Sequence, residues 1–408
     1  MRKTKKTLIL LFSVLILFAI AHSFIQSVRL PLDAVSAEKV LTAWNIPRGK
    51  TSIRSWTFSV TELPVYMICT AILGPSAFAG IFAALIFWLA PFCAGLWILF
   101  RRGLLNPITV LIWLALTGLP DTEWLSAIRT SPGVTLWMLI LSFAVIRLFE
   151  NHGKIRPWIT AFVSAILLTE GILTALPAAN LKENLAAALQ AFQVTYRANF
   201  YLELIQKLST GRYFLMTLAL IITFAVLILT IIRMCRGEKT PITEKVLSAG
   251  LLLTFLFCCL PVSGTLMEKA AFCSWAPFGG AALLGSFYVH SHIGEERMVQ
   301  YRVRLSAVIT VFFLAAFLFC IGPITIGRQP TDADRAAIFL MEQGLERGSC
   351  PDEDLALLTV AAKGRIDFSL DPEDPEAQFV VYREADAPEG VPGIEEVGIY
   401  KIKSAVGS

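Results

Sequence analysis

Long apolar runs separated by short loops rich in lysine and arginine recur along most of this chain, and no other feature limits its fold so strongly. A bilayer core takes about 20 apolar residues of helix to cross, and backbone groups in lipid must be satisfied within the segment. The 408 residues are 56% hydrophobic and 16% charged, with a mean hydropathy of +0.66. An average soluble domain is about 45–50% apolar and about 25% charged. The pattern therefore predicts an all-α polytopic membrane protein of about nine transmembrane helices.

The expected spans are Thr7–Ile25, Ala77–Phe100, Pro107–Leu119, Val134–Phe149, Pro157–Leu176, Tyr213–Ile232, Val246–Val262, Ala270–Val289 and Leu305–Gly322. Met1–Lys6 reads MRKTKK, the charge order of a signal peptide, but the run behind it is long and lacks a clean cleavage site, so it is read as an uncleaved span. Loops with Arg101 and Arg102, Lys154 and Arg156, Arg233 to Lys245, and Arg297 to Arg304 all fall on the side of that basic start. The positive-inside rule makes this side cytoplasmic. An odd span count then places the C-terminal tail outside. Pro64–Gly74 is apolar but short, and is expected to lie at the interface.

The membrane domain is thus expected over 1–324, with external segments at 28–63, 121–133 and 177–212; the last reads as a helix along the membrane surface. Residues 325–408 change character, with 17 acidic residues against 8 Lys or Arg from Thr325 on. This tail is expected to be a small extracytoplasmic α+β domain. Thr331 or Asp332 can cap a helix reaching Arg347 with Gly348 as its stop, and Phe379–Tyr382 and Val397–Ile402 read as strands.

The eight cysteines follow no metal or disulfide spacing, and most lie in or beside apolar runs where a thiol packs as a small hydrophobe. His290 and His292 stand two apart at a span end, with no further ligand near in sequence. No phosphate-binding glycine loop, nucleophile elbow or His-Glu-x-x-His is present, and no feature points to nucleic acid.

The first external segment is richer. Asp33 and Glu38 follow the first span; Glu62 precedes the next apolar block; Arg29, Arg48, Lys50 and Arg54 lie among them. A carboxylate at a membrane surface can deprotonate a hydroxyl or help hold a divalent metal ion. The cations can neutralise a phosphate, and Trp56 can stack on a sugar or anchor at the interface. The same charges serve equally as an ordinary solvated loop. Glu170 lies about two turns inside its span, where a charge costs up to about 2.5–3.5 kcal/mol, so it is expected to face the bundle or a wet cavity.

The order Asp33, Glu38, then Ser55-Trp56-Thr57-Phe58-Ser59-Val60-Thr61-Glu62-Leu63, then a long apolar block, resembles the GT-C superfamily of multi-pass glycosyltransferases, in particular its protein-mannosyltransferase-like members. The stretch Leu357–Leu370 and the closing Gly398–Lys403 are similar to the short external domains of such proteins. The resemblance implies transfer of a sugar, with inversion, from a polyprenyl-phosphate donor to an extracytoplasmic acceptor. It implies Asp33 as base or metal-side acid with Glu38 beside it, Asp121 and Glu123 as secondary acids, and Arg129 or Arg197 on the donor phosphate. Two other classes stay open: a transporter or flippase for an amphipathic substrate, using Glu170, and a non-catalytic membrane assembly protein whose acidic tail binds a partner.

Overall fold

A computed structural model describes residues 2–29, 33–49, 62–101, 154–175, 330–371, 374–386 and 394–404, with isolated stretches at 113, 140–141, 143–148, 225, 227–229 and 231–237. The chain divides into two compact units, one of Met1–Ser27 with Leu85–Thr325, the other of Val28–Ala84 with Ile326–Ser408. The segment 28–63, expected to be external, thus shares a unit with the C-terminal tail.

Four helices open the chain: α1 (Arg2–Arg29), α2 (Ala34–Asn45), α3 (Glu62–Leu73) and α4 (Ala77–Arg101). A 3-10 turn, Ile46–Arg48, closes α2, and Gly49 at φ +66° turns the chain away. The break between α3 and α4 falls at Gly74–Ser76, where Gly74 adopts φ +67° and Pro75 has no amide hydrogen to continue a helix. Helix α5 spans Ile155–Ala175. Among the described residues, α4 is the helix long and apolar enough to cross a bilayer by length and composition; Ile16–Arg29, Glu62–Leu73 and Ile155–Leu167 are shorter apolar stretches. The expected spans Pro107–Leu119, Tyr213–Ile232, Val246–Val262, Ala270–Val289 and Leu305–Gly322 lie wholly or largely outside the described residues, and Val134–Phe149 lies half outside them.

Two of these helices, α1 and α3, carry their polarity reversed, and α5 exposes a broad apolar surface. In α1, His22, Ser23, Gln26 and Ser27 are buried while Leu17 is 64% exposed. In α3, Glu62, Tyr66, Cys69 and Thr70 are buried, whereas Ile68 is 59% and Ile72 75% exposed. In α5, Ile155, Trp158, Ile159, Phe162, Val163 and Ile166 are exposed, as are Arg156 and Thr160, and Ser164 is the buried residue among those described. A surface helix in water does the opposite, because each buried apolar side chain contributes about 1.5–3 kcal/mol. Within the first unit, Trp113 is fully buried against Gly95, where a Cβ would stand 1.9 Å from the indole ring, and its Nε1 donates to the Phe92 carbonyl at 3.2 Å. Small residues at such crossings let helices approach without a large apolar driving force.

The tail has ordinary polarity. It contains α6 (Asp332–Glu342), β1 (Arg347–Ser349), α7 (Asp352–Ala361), β2 (Asp367–Ser369), β3 (Phe379–Arg383), β4 (Ile394–Val397) and β5 (Tyr400–Ser404). The sheet order is β2-β1-β3-β5-β4, with β1 parallel to β2 and β3, and β5 antiparallel to β3 and β4. The core comprises Ala333, Ala336, Ala337 and Leu340 of α6, Leu358 of α7, Ile366 before β2, and Phe379, Val381, Tyr400 and Ile402 from the sheet. Phe368 and Phe379 meet edge to face, with ring centroids 5.8 Å apart. They flank Gly348, whose added Cβ would lie 2.4 Å from the Phe379 ring.

Two expectations for the tail are corrected. The helix from Thr331 stops at Glu342, not Arg347, because Gly344 at φ +69° ends it: the Leu345 amide donates to the Leu340 carbonyl and the Gly344 amide to Met341. Gly348 then serves strand β1. The single strand expected over Val397–Ile402 is a hairpin, with Val397 paired to Tyr400 around a Gly398–Ile399 turn. Gly398 takes φ +63° there, as a tight two-residue turn demands. Thr331 does cap α6, forming a reciprocal capping box with Asp334.

Helix α7 ends like α6, but with Lys363 rather than glycine at φ +55°. Its amide donates to the Val360 carbonyl, and that of Gly364 to Thr359. Replacing Lys363 by Gly should raise the stability of the tail by up to about 1 kcal/mol. Gly348→Ala should lower it by about 1–3 kcal/mol through the clash with Phe379. Thermal melts and limited proteolysis of the purified full chain read both changes.

Candidate functional site

Asp33 begins α2. Its backbone is extended, at φ −88° and ψ 160°, and its Oδ1 accepts the Ser36 amide at 2.7 Å. The Ser36 hydroxyl donates to Oδ2 at 3.0 Å. Both oxygens of this half-buried carboxylate therefore meet donors at a helix N-terminus, where negative charge is favoured. The turn follows from the sequence: Asp33 supplies a short acceptor, and Ser36 three residues on offers two donors.

Helix α2 buries Ser36, Ala37, Lys39, Val40 and Ala43, and packs against both α3 and α7. Lys39 reaches across from this face, its Nζ 2.7 Å from Glu62 Oε2. Their side chains are only 4% and 2% exposed. Two charges out of water cost several kcal/mol each, and close pairing offsets that. The pair joins the middle of α2 to the first turn of α3, 23 residues away in sequence. It also places the Glu62 carboxylate at the N-terminus of α3.

Glu38 lies on the open side of α2. Crowding by protein around its carboxyl raises its pKa above the usual glutamate value; Lys39 opposes the rise and Asp352 of α7 adds to it. Asp33 and Glu38 are five positions apart, roughly 140° round a helix of 3.6 residues per turn, so the two do not converge on one point. Arg48 is also engaged: its Nη1 donates to the Trp44 carbonyl at 2.6 Å, and its guanidinium sits 3.1 Å from the centroid of the Trp44 ring.

Of the other residues expected at a site, Trp56, Asp121, Glu123, Arg129 and Arg197 lie outside the described residues. Glu170 is on α5, and its side chain lies outside them too. Glu62, expected to contact substrate, is buried against Lys39 instead of facing an opening. Among the described residues no three His, Cys, Asp or Glu side chains gather as a metal site requires. Asp33 is turned to Ser36 and Glu62 to Lys39, so the carboxylates seen here do not by themselves fit a divalent ion.

A second charged cluster was not evident from spacing. Asp354, buried in the first turn of α7, takes a bidentate bond from Arg383: Nε to Oδ2 at 2.7 Å and Nη2 to Oδ1 at 2.9 Å. The Tyr400 hydroxyl donates to Oδ1 at 3.2 Å, and Arg383 Nη1 donates to Glu353 at 2.6 Å. These bonds tie α7 to β3 and β5. Burial, and then the charge of Asp354, raise the Tyr400 pKa. Burial beside Asp354 and Asp352 pushes the Cys350 thiol up to about 12, which keeps it protonated and unreactive near neutral pH. The only sequence signal for α7 is Pro351 followed by Asp352, Glu353 and Asp354, an acidic first turn behind a proline.

No protein-family model, no curated protein and no solved structure matches this chain.

Substitutions at Lys39, Asp33 and Glu38 separate these roles. Lys39→Met leaves the Glu62 carboxylate buried without its cation and should cost about 3–5 kcal/mol, most of it recovered in the double variant Lys39→Met, Glu62→Leu. Asp33→Ala should cost about 1 kcal/mol as a lost cap, and Asp33→Asn only a few tenths. Because the folded Glu38 holds its proton more tightly than an unfolded glutamate, its stabilising contribution is present at low pH and is lost as pH rises through its raised pKa. Glu38→Gln should therefore raise the melting midpoint at pH 7 and leave it unchanged at pH 4.

Proposed function

We propose that this chain is a multi-pass membrane protein with a cytoplasmic N-terminus and an extracytoplasmic C-terminal domain, and that it transfers a sugar from a polyprenyl-phosphate donor to an acceptor outside the membrane, as a glycosyltransferase of the GT-C kind. The reversed polarity of α1 and α3, and the broadly exposed apolar side chains of α5, support the membrane part. Exposed isoleucine, leucine and phenylalanine over buried serine, glutamine and glutamate match an apolar solvent, in which polar groups turn inward to find partners.

One observation carries the chemical part. Asp33 stands four residues beyond the end of α1, half-buried, with its carboxylate oriented by Ser36. At the end of a span, such a group lies where a lipid-anchored phosphate would present its sugar. A carboxylate held in a fixed orientation within reach of a hydroxyl is what a general base requires. In the proposed step the acceptor oxygen attacks the anomeric carbon, Asp33 takes the hydroxyl proton, and the bond to the phosphate oxygen breaks with release of polyprenyl phosphate. The lipid part of the donor stays in the bilayer. Arg129 or Arg197 is assigned to the leaving phosphate on the resemblance alone.

A second reading, a non-catalytic assembly protein, is favoured by a different observation. Both Asp33 and Glu62 have structural work that accounts for them: one caps α2 and the other pairs with Lys39. The Asp33→Asn variant distinguishes the two readings, because asparagine keeps the cap and removes the base. Purified variant given a polyprenyl-phosphate sugar and acceptor should lose transfer by about 10²–10⁴-fold with an unchanged melting midpoint. Undiminished transfer would remove Asp33 from the chemistry. Absence of any transfer by the unmodified chain across sugars and acceptors would leave the assembly reading.

A further inference from the structure

We infer that the outward face of α3 is seated among the acyl chains of one leaflet, and that this seat holds the C-terminal domain at the lipid surface. The inference rests on the membrane part of the proposal above and is independent of its chemistry. Ile68, Ala71 and Ile72 line one exposed side of α3 at spacings of three and four, and Leu73 adjoins them. The opposite side buries Glu62, Tyr66, Cys69 and Thr70. In water this arrangement leaves the most apolar side chains wet and the polar ones covered. Among acyl chains the exposed isoleucines meet an apolar solvent and the covered polar side chains stay out of it.

The chemistry of α3 chooses between chains and headgroups. The helix carries no lysine or arginine, and its single charge, Glu62, is already neutralised by Lys39. It therefore has no cation to draw it to anionic lipid headgroups, in contrast to surface helices that bind by charge. Exposed Phe78 and Phe82 continue the apolar surface into the first turns of α4.

The same unit ties this face to the tail. The Lys39–Glu62 pair locks α3 to α2, and α2 packs against α7. Gly364, just past α7, abuts the α3–α4 turn so closely that an added Cβ would lie 2.8 Å from Pro75 Cγ. By contrast, the exposed large apolar residues of the tail, Ile338, Leu370 and Ile399, stand on separate elements. The tail thus reaches the lipid surface through α3, not through an apolar face of its own.

The test places a photoreactive benzoylphenylalanine at position 68 or 72 of the full chain, with position 338 as control, in nanodiscs of zwitterionic phosphatidylcholine. After illumination, intact mass reports phospholipid adducts. Adduct yields at 68 and 72 should exceed that at 338 by at least about tenfold. They should not change when anionic lipid is added or salt is raised. Yields at the level of position 338, or cross-links to protein in place of lipid, would overturn the inference. So would a yield that depends on anionic lipid. Two independent positions guard against one variant failing to fold. Lipid adducts without any sugar transfer would leave this inference standing and remove only the proposed chemistry.

Discussion

Taking polar groups out of water is costly, and in this chain burial is sorted in two opposite directions. In α1 and α3 polar side chains turn inward and apolar ones outward. In the tail, alanine, leucine, valine and phenylalanine fill the centre while charges lie at the surface or in tight pairs. The two parts of the chain therefore sort their side chains by opposite rules. The second compact unit contains both kinds of surface, since it includes α3 as well as the tail. Its organisation depends on the buried Lys39–Glu62 pair, which holds α2 against α3 and leaves the rest of α2 for α7.

That pair changes how the carboxylates of the segment 28–63 are understood. By sequence, Asp33 and Glu38 are expected at the chemistry and Glu62 against substrate. In the fold they occupy three environments: a half-buried helix cap, an open position crowded by Asp352, and a buried ion pair. The half-buried cap alone combines a fixed orientation with remaining access. This narrows the proposed chemistry to Asp33 and makes Glu62 a residue that positions α3.

Much of the element pattern was legible in the residues. The break at Gly74–Ser76, the cap at Thr331 and the strand beginning at Phe379 follow from local rules on glycine, side-chain acceptors and β-branched runs. The misplacements have local causes as well. Gly344 and Gly348 are both plausible helix stops in sequence, and only the packing of Phe379 over Gly348 assigns the latter to a strand. Gly398 and Ile399 look like strand because they continue an apolar alternation, yet the pairing of β4 with β5 makes them the turn. Helices α2 and α7 were missed because neither has a strong apolar stripe; each is stabilised by its neighbour. The cluster of Asp354, Arg383 and Tyr400 joins residues up to 46 apart, and no spacing rule finds such a set.

The sequence alone determined the excess of apolar surface, the segregation of basic loops, and the abrupt change to an acidic tail, because these depend on composition along the chain and need no contacts. Tertiary structure decided which acid is capped, which is paired and which is open, and that the tail packs against α2. A carboxylate's role depends on the donors and charges brought within about 3 Å of it, and across gaps of tens of residues only the folded chain sets those distances.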